Sequence, residues 1–251
     1  MVCALPAGLC DPVIVHSTLG VSPMSSFMIR NMYGLNAQDT IDYAGESRSI
    51  VASLEQSYVS IQGRHSSGWV DGARNVIGGS APDNIHGDSH NNVLVGLGGD
   101  DLLGGGKGDD TLVGGSGNDF LIGGKGADTI TGGPGADKFV YWKASDTQGD
   151  VITDFNHGQG DIINFIFTEE EQYAHNHPKP GYVPDPEQPM PMALNGTAEA
   201  PHSLWYQVAE NGKDLHLFGD TDGQVDTHEI SMTLQGVTSL QSSDFVFEYW
   251  V

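Results

Sequence analysis

Residues 78–140 read GGSAPDNIH, GDSHNNVLV, GLGGDDLLG, GGKGDDTLV, GGSGNDFLI, GGKGADTIT and GGPGADKFV when they are divided into blocks of nine. Seven blocks follow one another without a slipped residue. Glycine recurs at positions one, two and four, an acid or amide at position six, and an apolar residue at position eight. A fixed internal period determines the architecture, because each repeat buries its apolar face against the next one.

Each block predicts a glycine turn followed by a short strand. Glycine allows the positive φ angles of tight turns. The last three residues of a block, such as 111–113, predict a three-residue strand whose middle, apolar side chain points inward. Two blocks then form one coil of a parallel solenoid, with coils about 4.8 Å apart and right-handed crossovers. The predicted inward column consists of Ile85, Leu94, Leu103, Leu112, Leu121, Ile130 and Phe139.

The predicted fold class is all-β. We expect a right-handed parallel β-roll over residues 78–140, flanked by antiparallel strands that form a C-terminal cap or sandwich. The alternative is a glycine-rich flexible linker. The apolar residue at position eight of every block argues against a linker, since a linker has no core to fill.

Position six is the chemically distinctive position of the repeat. Two blocks per coil would stack these side chains in columns along both edges of the roll. Carboxylates about 5 Å apart repel by roughly 1 kcal/mol in water and roughly 3 kcal/mol at a surface-like dielectric. A divalent cation between coils would reverse that repulsion, and glycine carbonyls would complete an all-oxygen shell, which suits Ca²⁺ better than Mg²⁺ or Zn²⁺. The column residues are Asp83, Asn92, Asp101, Asp110, Asp119, Asp128 and Asp137.

The blocks resemble the RTX, or haemolysin-type, calcium-binding nonapeptide G-G-x-G-x-D-x-U-x, in which U is apolar. The resemblance implies several bound Ca²⁺ ions, each between the turns of blocks n and n+2, so that seven blocks allow about five sites. It implies ligands among the column residues above and the turn glycines. The implied glycines are Gly96, Gly98, Gly99, Gly105, Gly106, Gly108, Gly114, Gly115, Gly117, Gly123, Gly124, Gly126, Gly132, Gly133 and Gly135.

The first two blocks depart from this pattern. Ala81 stands where the third glycine is expected, Asp88 stands at position two of the second block, and Asn92 stands at its position six. Sites that use these two blocks are therefore in question. The sites expected to be most complete join Asp101 with Asp119, Asp110 with Asp128, and Asp119 with Asp137.

The segments before the roll resemble part of the serralysin-type secreted metalloproteases. Residues 1–35 look like an N-terminal remnant. Within them and just beyond, residues 22–36 read SPMSSFMIRNMYGLN and resemble the Met-turn and helix that follow the zinc site of that family. Residues 36–77 are rich in β-branched and aromatic residues and predict lead-in strands.

The segments after the roll resemble the same family. Residues 141–167 contain GDVITDF and GDIINF, which predict two capping strands around a polar turn. The resemblance makes Asp154 and Asp161 candidate ligands of a terminal ion, and the alternative is that both are turn-forming carboxylates of a capping hairpin. Residues 168–203 predict an irregular insertion, because seven prolines lie between Pro178 and Pro201.

The C-terminal segment, residues 204–251, predicts strands again. Residues 204–208 and 214–218 flank a polar turn and indicate a hairpin. The stretch LQGVTSLQSSDF, residues 234–245, resembles the terminal motif of the serralysin group. The resemblance implies a C-terminal secretion signal, export by a type I secretion transporter, and an extracellular location.

Composition narrows the possible partners. The 251-residue chain has a net charge of −23, which disfavours nucleic acid and anionic membranes. No apolar run reaches the roughly 18 residues of a membrane span. Two cysteines, both near the N-terminus, do not make a disulfide scaffold, and the first residues, MVCALPAGLC, do not look like a Sec signal peptide.

Catalytic motifs are missing from the sequence. His228 and Glu229 begin like the zinc motif H-E-x-x-H, but no second histidine follows at the required spacing. Whether the chain belongs to an enzyme stays open, because a fused or upstream catalytic domain of a secreted metalloprotease would supply the chemistry.

The interpretation that we carry forward is a calcium-binding module that folds on Ca²⁺ binding after type I secretion. It would act as the non-catalytic C-terminal carrier and stabilising domain of a serralysin-like metalloprotease. The alternatives are a polysaccharide-binding repeat module, similar to those of alginate epimerases, and an extracellular adhesive protein. For the polysaccharide alternative, the candidate sugar platforms are Trp69, Trp142, Trp205 and Trp250.

Overall fold

A computed structural model describes residues 39–63, 68–69, 72–167, 193–194, 196–198, 203–221 and 228–249 of the protein. The predicted post-zinc-like segment 22–36 and most of the proline-rich stretch lie outside these residues. The described residues are almost entirely β-structure, with two short 3-10 helices, Ala144–Thr147 and Ser242–Asp244. The strands are β1 (Thr40–Asp42), β2 (Ile50–Ser53), β3 (Tyr58–Ile61), β4 (Gly68–Trp69), β5 (Asn75–Ile77), β6 (Asn84–His86), β7 (Val93–Gly98), β8 (Leu102–Lys107), β9 (Thr111–Ser116), β10 (Phe120–Lys125), β11 (Thr129–Thr131), β12 (Lys138–Tyr141), β13 (Asp150–Ile152), β14 (Ile162–Phe167), β15 (Ala193–Leu194), β16 (Ser203–Val208), β17 (Leu215–Gly219), β18 (Ile230–Leu234) and β19 (Phe245–Tyr249).

Successive blocks of the repeat alternate between two parallel sheets. One sheet has the order β1-β5-β7-β9-β11-β13-β18-β17-β16-β15, and the other has the order β19-β14-β12-β10-β8-β6-β2-β3-β4. Within the repeat, each residue pairs with the residue 18 positions later, as Leu94 does with Leu112. Two nonapeptides therefore make one coil, and the predicted parallel β-roll is confirmed.

The strands of the middle blocks are longer than the sequence predicted. Each of β7, β8, β9 and β10 contains six residues rather than three. Parallel pairing continues past the three strand residues into the following turn, where Leu97 pairs with Gly115 and Gly106 pairs with Gly124. The predicted length was wrong because the turns of neighbouring coils have the same shape and hydrogen-bond to each other.

The core of the roll is the column of position-eight side chains. These side chains, from Ile85 to Phe139, are between 0% and 1% exposed, as the sequence predicted. Each fully buried large apolar side chain contributes about 1.5–3 kcal/mol. The same core continues into β2, β13 and β17 at the two ends of the roll.

The two capping strands, β13 and β14, do not pair with each other as a hairpin would. Strand β13 joins the first sheet in parallel beside β11, and β14 joins the second sheet in parallel beside β12. The two predicted capping strands are present, but the alternative of a capping hairpin is wrong, because the strands together form a further coil of the roll. Residues outside the nonapeptide pattern thus repeat its geometry.

Antiparallel strands flank the roll at both ends. Strand β2 pairs in parallel with β6 and antiparallel with β3. At the other end β16, β17 and β18 form an antiparallel meander, in which Trp205 lies opposite Phe218 as the hairpin prediction requires. Strand β18 joins β13 in parallel, and β19 joins β14 in parallel. The described residues contain no helix that is long and apolar enough to cross a membrane.

Candidate calcium-binding columns

The position-six side chains form two columns, one along each edge of the roll. The backbone N–H of each member donates a hydrogen bond to Oδ1 of the member one coil later, at N···O distances between 2.7 and 2.9 Å. The predicted stacking is therefore confirmed. The first column contains Asp83, Asp101, Asp119 and Asp137, and the second contains Asn92, Asp110 and Asp128.

Both columns continue beyond the nonapeptide repeats. The N–H of Asp137 donates to Oδ1 of Asp161 at 3.0 Å, and the N–H of Asp128 donates to Oδ1 of Asp150 at 2.8 Å. Sequence reasoning did not identify Asp150. The signal was present, because Asp150-Val151-Ile152 repeats positions six to eight of the block, but four extra residues in the preceding loop shift it out of phase.

The second carboxylate oxygen is where the columns differ from an ordinary hydrogen-bonded turn. Six buried aspartates have an Oδ2 atom that accepts no hydrogen bond within the described part of the chain, and each of these residues is at most 2% exposed. Buried polar atoms in native proteins nearly always have a partner. A partner for these oxygens must come from a bound species. The six residues are Asp101, Asp110, Asp119, Asp128, Asp137 and Asp150.

Burial makes these carboxylates costly when they are ionised and have no cation. Desolvation is the largest cause of the shift in every one of them, and neighbouring acids add to it in several. The pKa of Asp119 and Asp128 rises to about 6, that of Asp110 and Asp137 to about 7, and that of Asp101 and Asp150 to about 8. Loss of hydration, more than mutual repulsion, therefore opposes the ionised columns.

The glycine at position one of a block lets a carboxylate oxygen and a carbonyl oxygen approach its Cα atom closely. A Cβ atom added to Gly96 would clash with Asp101 Oδ2 and lie 2.5 Å from the carbonyl oxygen of Gly114. An equivalent Cβ at Gly105 would clash with Asp110 Oδ2 and lie 2.5 Å from the Gly123 carbonyl oxygen. A carboxylate oxygen of the same block and a carbonyl oxygen of the next coil thus lie so close to the backbone that only glycine fits there, and Gly78 of the first block shares this contact. This donor set fits a hard, oxygen-preferring cation such as Ca²⁺.

The turns fall into two classes. In blocks three to seven, residues 96–140, positions two and four have positive φ, and all these positions except Leu97 are glycine. We call these the open turns. They need glycine because an L-residue in the left-handed region costs about 1–2 kcal/mol. Their left-handed residues are Leu97, Gly99, Gly106, Gly108, Gly115, Gly117, Gly124, Gly126, Gly133 and Gly135.

Blocks one and two, residues 78–95, have a different turn, which we call the closed turn. Here the N–H at position two bonds the position-six side chain: Gly79 N donates to Asp83 Oδ2 at 2.7 Å, and Asp88 N donates to Asn92 Oδ1 at 2.8 Å. Asp83 Oδ1 also accepts a bond from Ile50 N at 2.8 Å. The backbone thus occupies these side-chain oxygens, which agrees with the expectation that sites in the first two blocks are in question.

The two predicted terminal ligands are held by backbone N–H groups. Asp154 accepts bonds from Gly132 N at 2.9 Å and Gly133 N at 2.8 Å, one on each carboxylate oxygen. Asp161 Oδ2 accepts a bond from Asn156 N at 2.9 Å, in addition to the column bond on Oδ1. Asp161 therefore closes the turn that starts at Asn156, whereas Asp154 bridges to the turn of block seven, and both sets of contacts favour a structural role over a terminal ion site.

Side chains alone do not build a metal site here. Across the described ranges, no three His, Cys, Asp or Glu side chains converge closely enough to hold a metal ion. A cation in the columns would therefore take most of its ligands from backbone carbonyls and water, and one carboxylate from each adjoining coil. Ca²⁺ accepts such mixed oxygen shells of six to eight ligands.

Comparison with known proteins agrees with this geometry. The sequence model of the RTX calcium-binding nonapeptide repeat matches residues 75–103 and 104–139, as 4 copies. No curated protein matches the chain. Among solved structures, the chain is similar to two subunits of the Azotobacter vinelandii mannuronan C5-epimerase. The AlgE6R3 subunit matches at 24% identity over 68% of this chain and 80% of that one, with a TM-score of 0.30.

The AlgE6R2 subunit matches at 27% identity over 70% of this chain and 94% of that one, with a TM-score of 0.28. These TM-scores are too low to support an architecture, which rests instead on the strand register of this chain. The period of nine, the 18-residue register and the family match describe one and the same segment. Residues 75–139 are therefore identified as RTX calcium-binding nonapeptide repeats.

Proposed function

We propose that the roll is a calcium-triggered folding module of a secreted protein. The observation that carries this proposal is the set of six buried Oδ2 atoms that accept no hydrogen bond in the described structure. One pKa unit corresponds to about 1.4 kcal/mol. A carboxyl group held at a pKa of about 6 therefore costs the metal-free fold about 3 kcal/mol at neutral pH. Six groups of this kind outweigh the roughly 5–15 kcal/mol that stabilises a typical domain.

Calcium reverses this balance, because it replaces the lost hydration of the carboxylates with direct ligation. Ion binding and folding are then one process, since the ligand set exists only in the coiled chain. Extracellular calcium modules bind at about 10⁻⁴–10⁻³ M. The chain would stay unfolded where calcium is scarce, thread through a type I transporter, and fold outside the cell.

A calcium titration followed by far-UV circular dichroism tests the proposal. The β-sheet signal is expected to be absent in chelator and to appear cooperatively with Ca²⁺ in the submillimolar to millimolar range. Mg²⁺ is the matched control, because its smaller, strictly octahedral shell does not suit carbonyl-rich sites. A full β-sheet signal in chelator at neutral pH would contradict the proposal.

The carrier role is a separate part of the proposal. The resemblance of residues 234–245 to the serralysin terminus supports export through the C-terminal segment, with a fused or upstream metalloprotease domain as cargo. Export from a host with a type I transporter, with and without residues 236–251, tests the route. Caseinolysis by the full reading frame tests the cargo. Retained export of the truncated chain would remove the secretion role from this segment.

Binding of an acidic polysaccharide is the second candidate function, and a groove on the outer face of the second sheet favours it. The groove has a volume of about 980 Å³ and is lined by Lys107 and Lys125, which are adjacent across β8 and β10. Gly104 and Gly124, which have no side chains, and the side chain of Tyr58 also line the groove. Two stacked cations in a chain of net charge −23 would attract a repeating anion locally.

The tryptophan platforms do not support this second candidate equally. Trp205 is 1% exposed and packs on Phe218 and His228, so it does not offer a face to a sugar. Trp142 is 37% exposed. The side chains of the other two tryptophans lie outside the described residues.

Retention on alginate oligomers should fall in the double variant Lys107→Gln and Lys125→Gln and persist in Lys213→Gln, whose lysine lies on a distant exposed turn. Equal retention would exclude the groove.

A further inference from the structure

The two columns end differently beyond the repeats. In the first column, the last carboxylate is Asp161, which receives the column bond on Oδ1 and the Asn156 N–H on Oδ2. In the second column, the last carboxylate is Asp150, which receives the column bond on Oδ1 and no hydrogen bond on Oδ2. Both residues lie outside the nonapeptide pattern, but only Asp161 has both oxygens occupied by the protein.

Asp150 is also the more completely enclosed of the two. Its exposure is 0%, whereas that of Asp161 is 3%. The hydroxyl of Tyr141 lies beside it and acts on it as a weak hydrogen-bond donor, but this contact falls short of full hydrogen-bond geometry in the described structure. Tyr141 is itself 2% exposed. Two buried oxygen atoms, Asp150 Oδ2 and Tyr141 Oη, therefore lie at one place with at most one weak hydrogen bond between them.

Further negative charge surrounds this place. Asp128, one coil earlier, has its own unsatisfied Oδ2 atom beside Gly123. Asp146, in the 3-10 helix Ala144–Thr147, is 9% exposed and its charge acts on both Asp128 and Asp150. Burial raises the pKa of Asp146, and the charges of Lys125 and Lys143 offset part of that rise. No basic side chain is among the groups that act on Asp150 itself.

We propose that Asp128, Asp150 and Tyr141 form a cation site that closes the second column, and that the first column has no counterpart at Asp161. The inference rests on the proposed calcium-dependent function and extends it beyond the repeats. A divalent, oxygen-preferring cation, Ca²⁺ in the first instance, satisfies the two carboxylate oxygens, and the phenol oxygen binds the ion or one of its waters. Backbone carbonyls and water supply the remaining ligands, since Ca²⁺ takes six to eight oxygens.

The position of this site gives it a structural consequence. Asp150 begins β13, which pairs in parallel with β18, so that Asp150 lies opposite Met232. Ser231 N donates to Thr147 Oγ1 at 2.9 Å, and Gly149 N donates to the carbonyl of Ser231. An ion at Asp150 therefore fixes the loop onto which the C-terminal meander docks. The C-terminal segment becomes calcium-dependent although it carries no repeat.

The matched variants Asp150→Asn and Asp161→Asn test the proposal in the full chain. Bound Ca²⁺ is counted by equilibrium dialysis, and folding is followed by circular dichroism. We expect Asp150→Asn to bind one ion fewer than the parent and Asp161→Asn to bind the same number. An unchanged ion count in Asp150→Asn, or the loss of one ion from both variants, would overturn the proposal. A parent chain that binds no calcium would instead overturn the proposed function.

A second measurement covers the case in which Asp150→Asn fails to fold. Terbium(III) occupies calcium sites and emits when a nearby tyrosine is excited. In Tyr141→Phe, which removes one hydroxyl from the core, the emission sensitised at this site is expected to fall. The control is Tyr58→Phe, because Tyr58 lies in the groove of the second sheet, away from the columns. Equal emission from the parent and both variants would place no ion beside Tyr141.

Discussion

The closed turns of residues 78–95 and the open turns of residues 96–140 contribute to the same two columns. The oxygens of their position-six side chains have different partners in the two kinds of turn. Both have a side-chain acceptor at position six, and both form the N–H to Oδ1 bond with the next coil. In the closed turns a backbone N–H at position two also reaches the position-six side chain. In the open turns the left-handed glycines direct that N–H elsewhere, and Oδ2 stays unsatisfied.

One roll is therefore held together by two kinds of partner for its position-six oxygens, namely backbone N–H groups and a bound cation. In the first coil, beside the antiparallel strands β2 and β3, backbone N–H groups of the protein occupy the position-six side-chain oxygens. The later coils are complete only with a cation. The first coil can therefore serve as a template to which calcium adds the others.

The dependence of metal-free stability on pH should separate the two kinds of turn most strongly. The pKa values of the six open carboxyls are raised to between about 6 and about 8 in the fold. The unfolded chain has ordinary carboxyl pKa values of about 3.9. The folded state thus binds more protons between pH 4 and pH 8, and its stability falls as pH rises through that window. The summed effect is on the order of 20 kcal/mol.

Urea unfolding of protein freed of metal by a chelating resin, at pH 5 and pH 8, measures this effect. The β-signal is expected at pH 5 and not at pH 8. In saturating calcium the order should reverse, because protons compete with the ion for the carboxylates. Equal metal-free stability at both pH values would mean that the open carboxyls are not buried as the structure places them.

Substitution of one acid in each kind of turn gives the next largest effect. Asp119→Asn removes half of the charge of an open site, whereas Asp83→Asn changes a carboxylate whose two oxygens already accept backbone bonds. With Ca²⁺ at 100 times its dissociation constant, loss of one site costs about 2.7 kcal/mol. Asp119→Asn should lose about that much in calcium and gain stability in chelator, because it removes a desolvated charge. Asp83→Asn should lose about 1–3 kcal/mol under both conditions.

Calorimetric unfolding at pH 7 with and without calcium measures both variants, provided that the metal-free form is brought into its folded range with a stabilising osmolyte. The sign in chelator is decisive. A loss of stability in metal-free Asp119→Asn, equal to the loss in calcium, would mean that Asp119 acts through hydrogen bonds alone.

The strictly periodic part of the molecule could be predicted from the sequence, and the part outside the period could not. The period of nine predicted the two-block coil, the inward column and the stacked acids, because sterics at the glycine turns and burial at position eight leave no other arrangement. The period failed to predict Asp150, which lies 22 residues after Asp128 rather than 18. A loop of arbitrary length can return to the column, and only the three-dimensional register shows that it does.

The strand lengths and the closed turn were beyond sequence reasoning for a related reason. Six-residue strands arise from turn-to-turn pairing between coils, which no single block encodes. Gly78-Gly79 looks like the start of an ordinary repeat, but the neighbouring segment before the roll changes its geometry, since Gly79 packs against the carbonyl of Glu46. Tertiary context therefore decided which glycines make open turns.

Leu97 gives the smallest and most local test of the comparison. It is the one non-glycine residue among the left-handed positions of the open turns, with φ at 80°, and its side chain is only partly buried. A residue with a Cβ atom in this region costs about 1–2 kcal/mol, so Leu97→Gly should raise stability in calcium by about 1 kcal/mol. The gain should be absent in chelator at neutral pH, where the open turns are not formed.

Ser57→Gly, which relieves a positive φ of 52° in the turn between β2 and β3, is the matched change outside the repeats. Calcium titrations of both variants by circular dichroism should show a lower midpoint for Leu97→Gly and a smaller shift for Ser57→Gly. A higher midpoint for Leu97→Gly would mean that the leucine side chain stabilises its coil by more than the left-handed backbone costs it, and that open turns do not depend on glycine at position two.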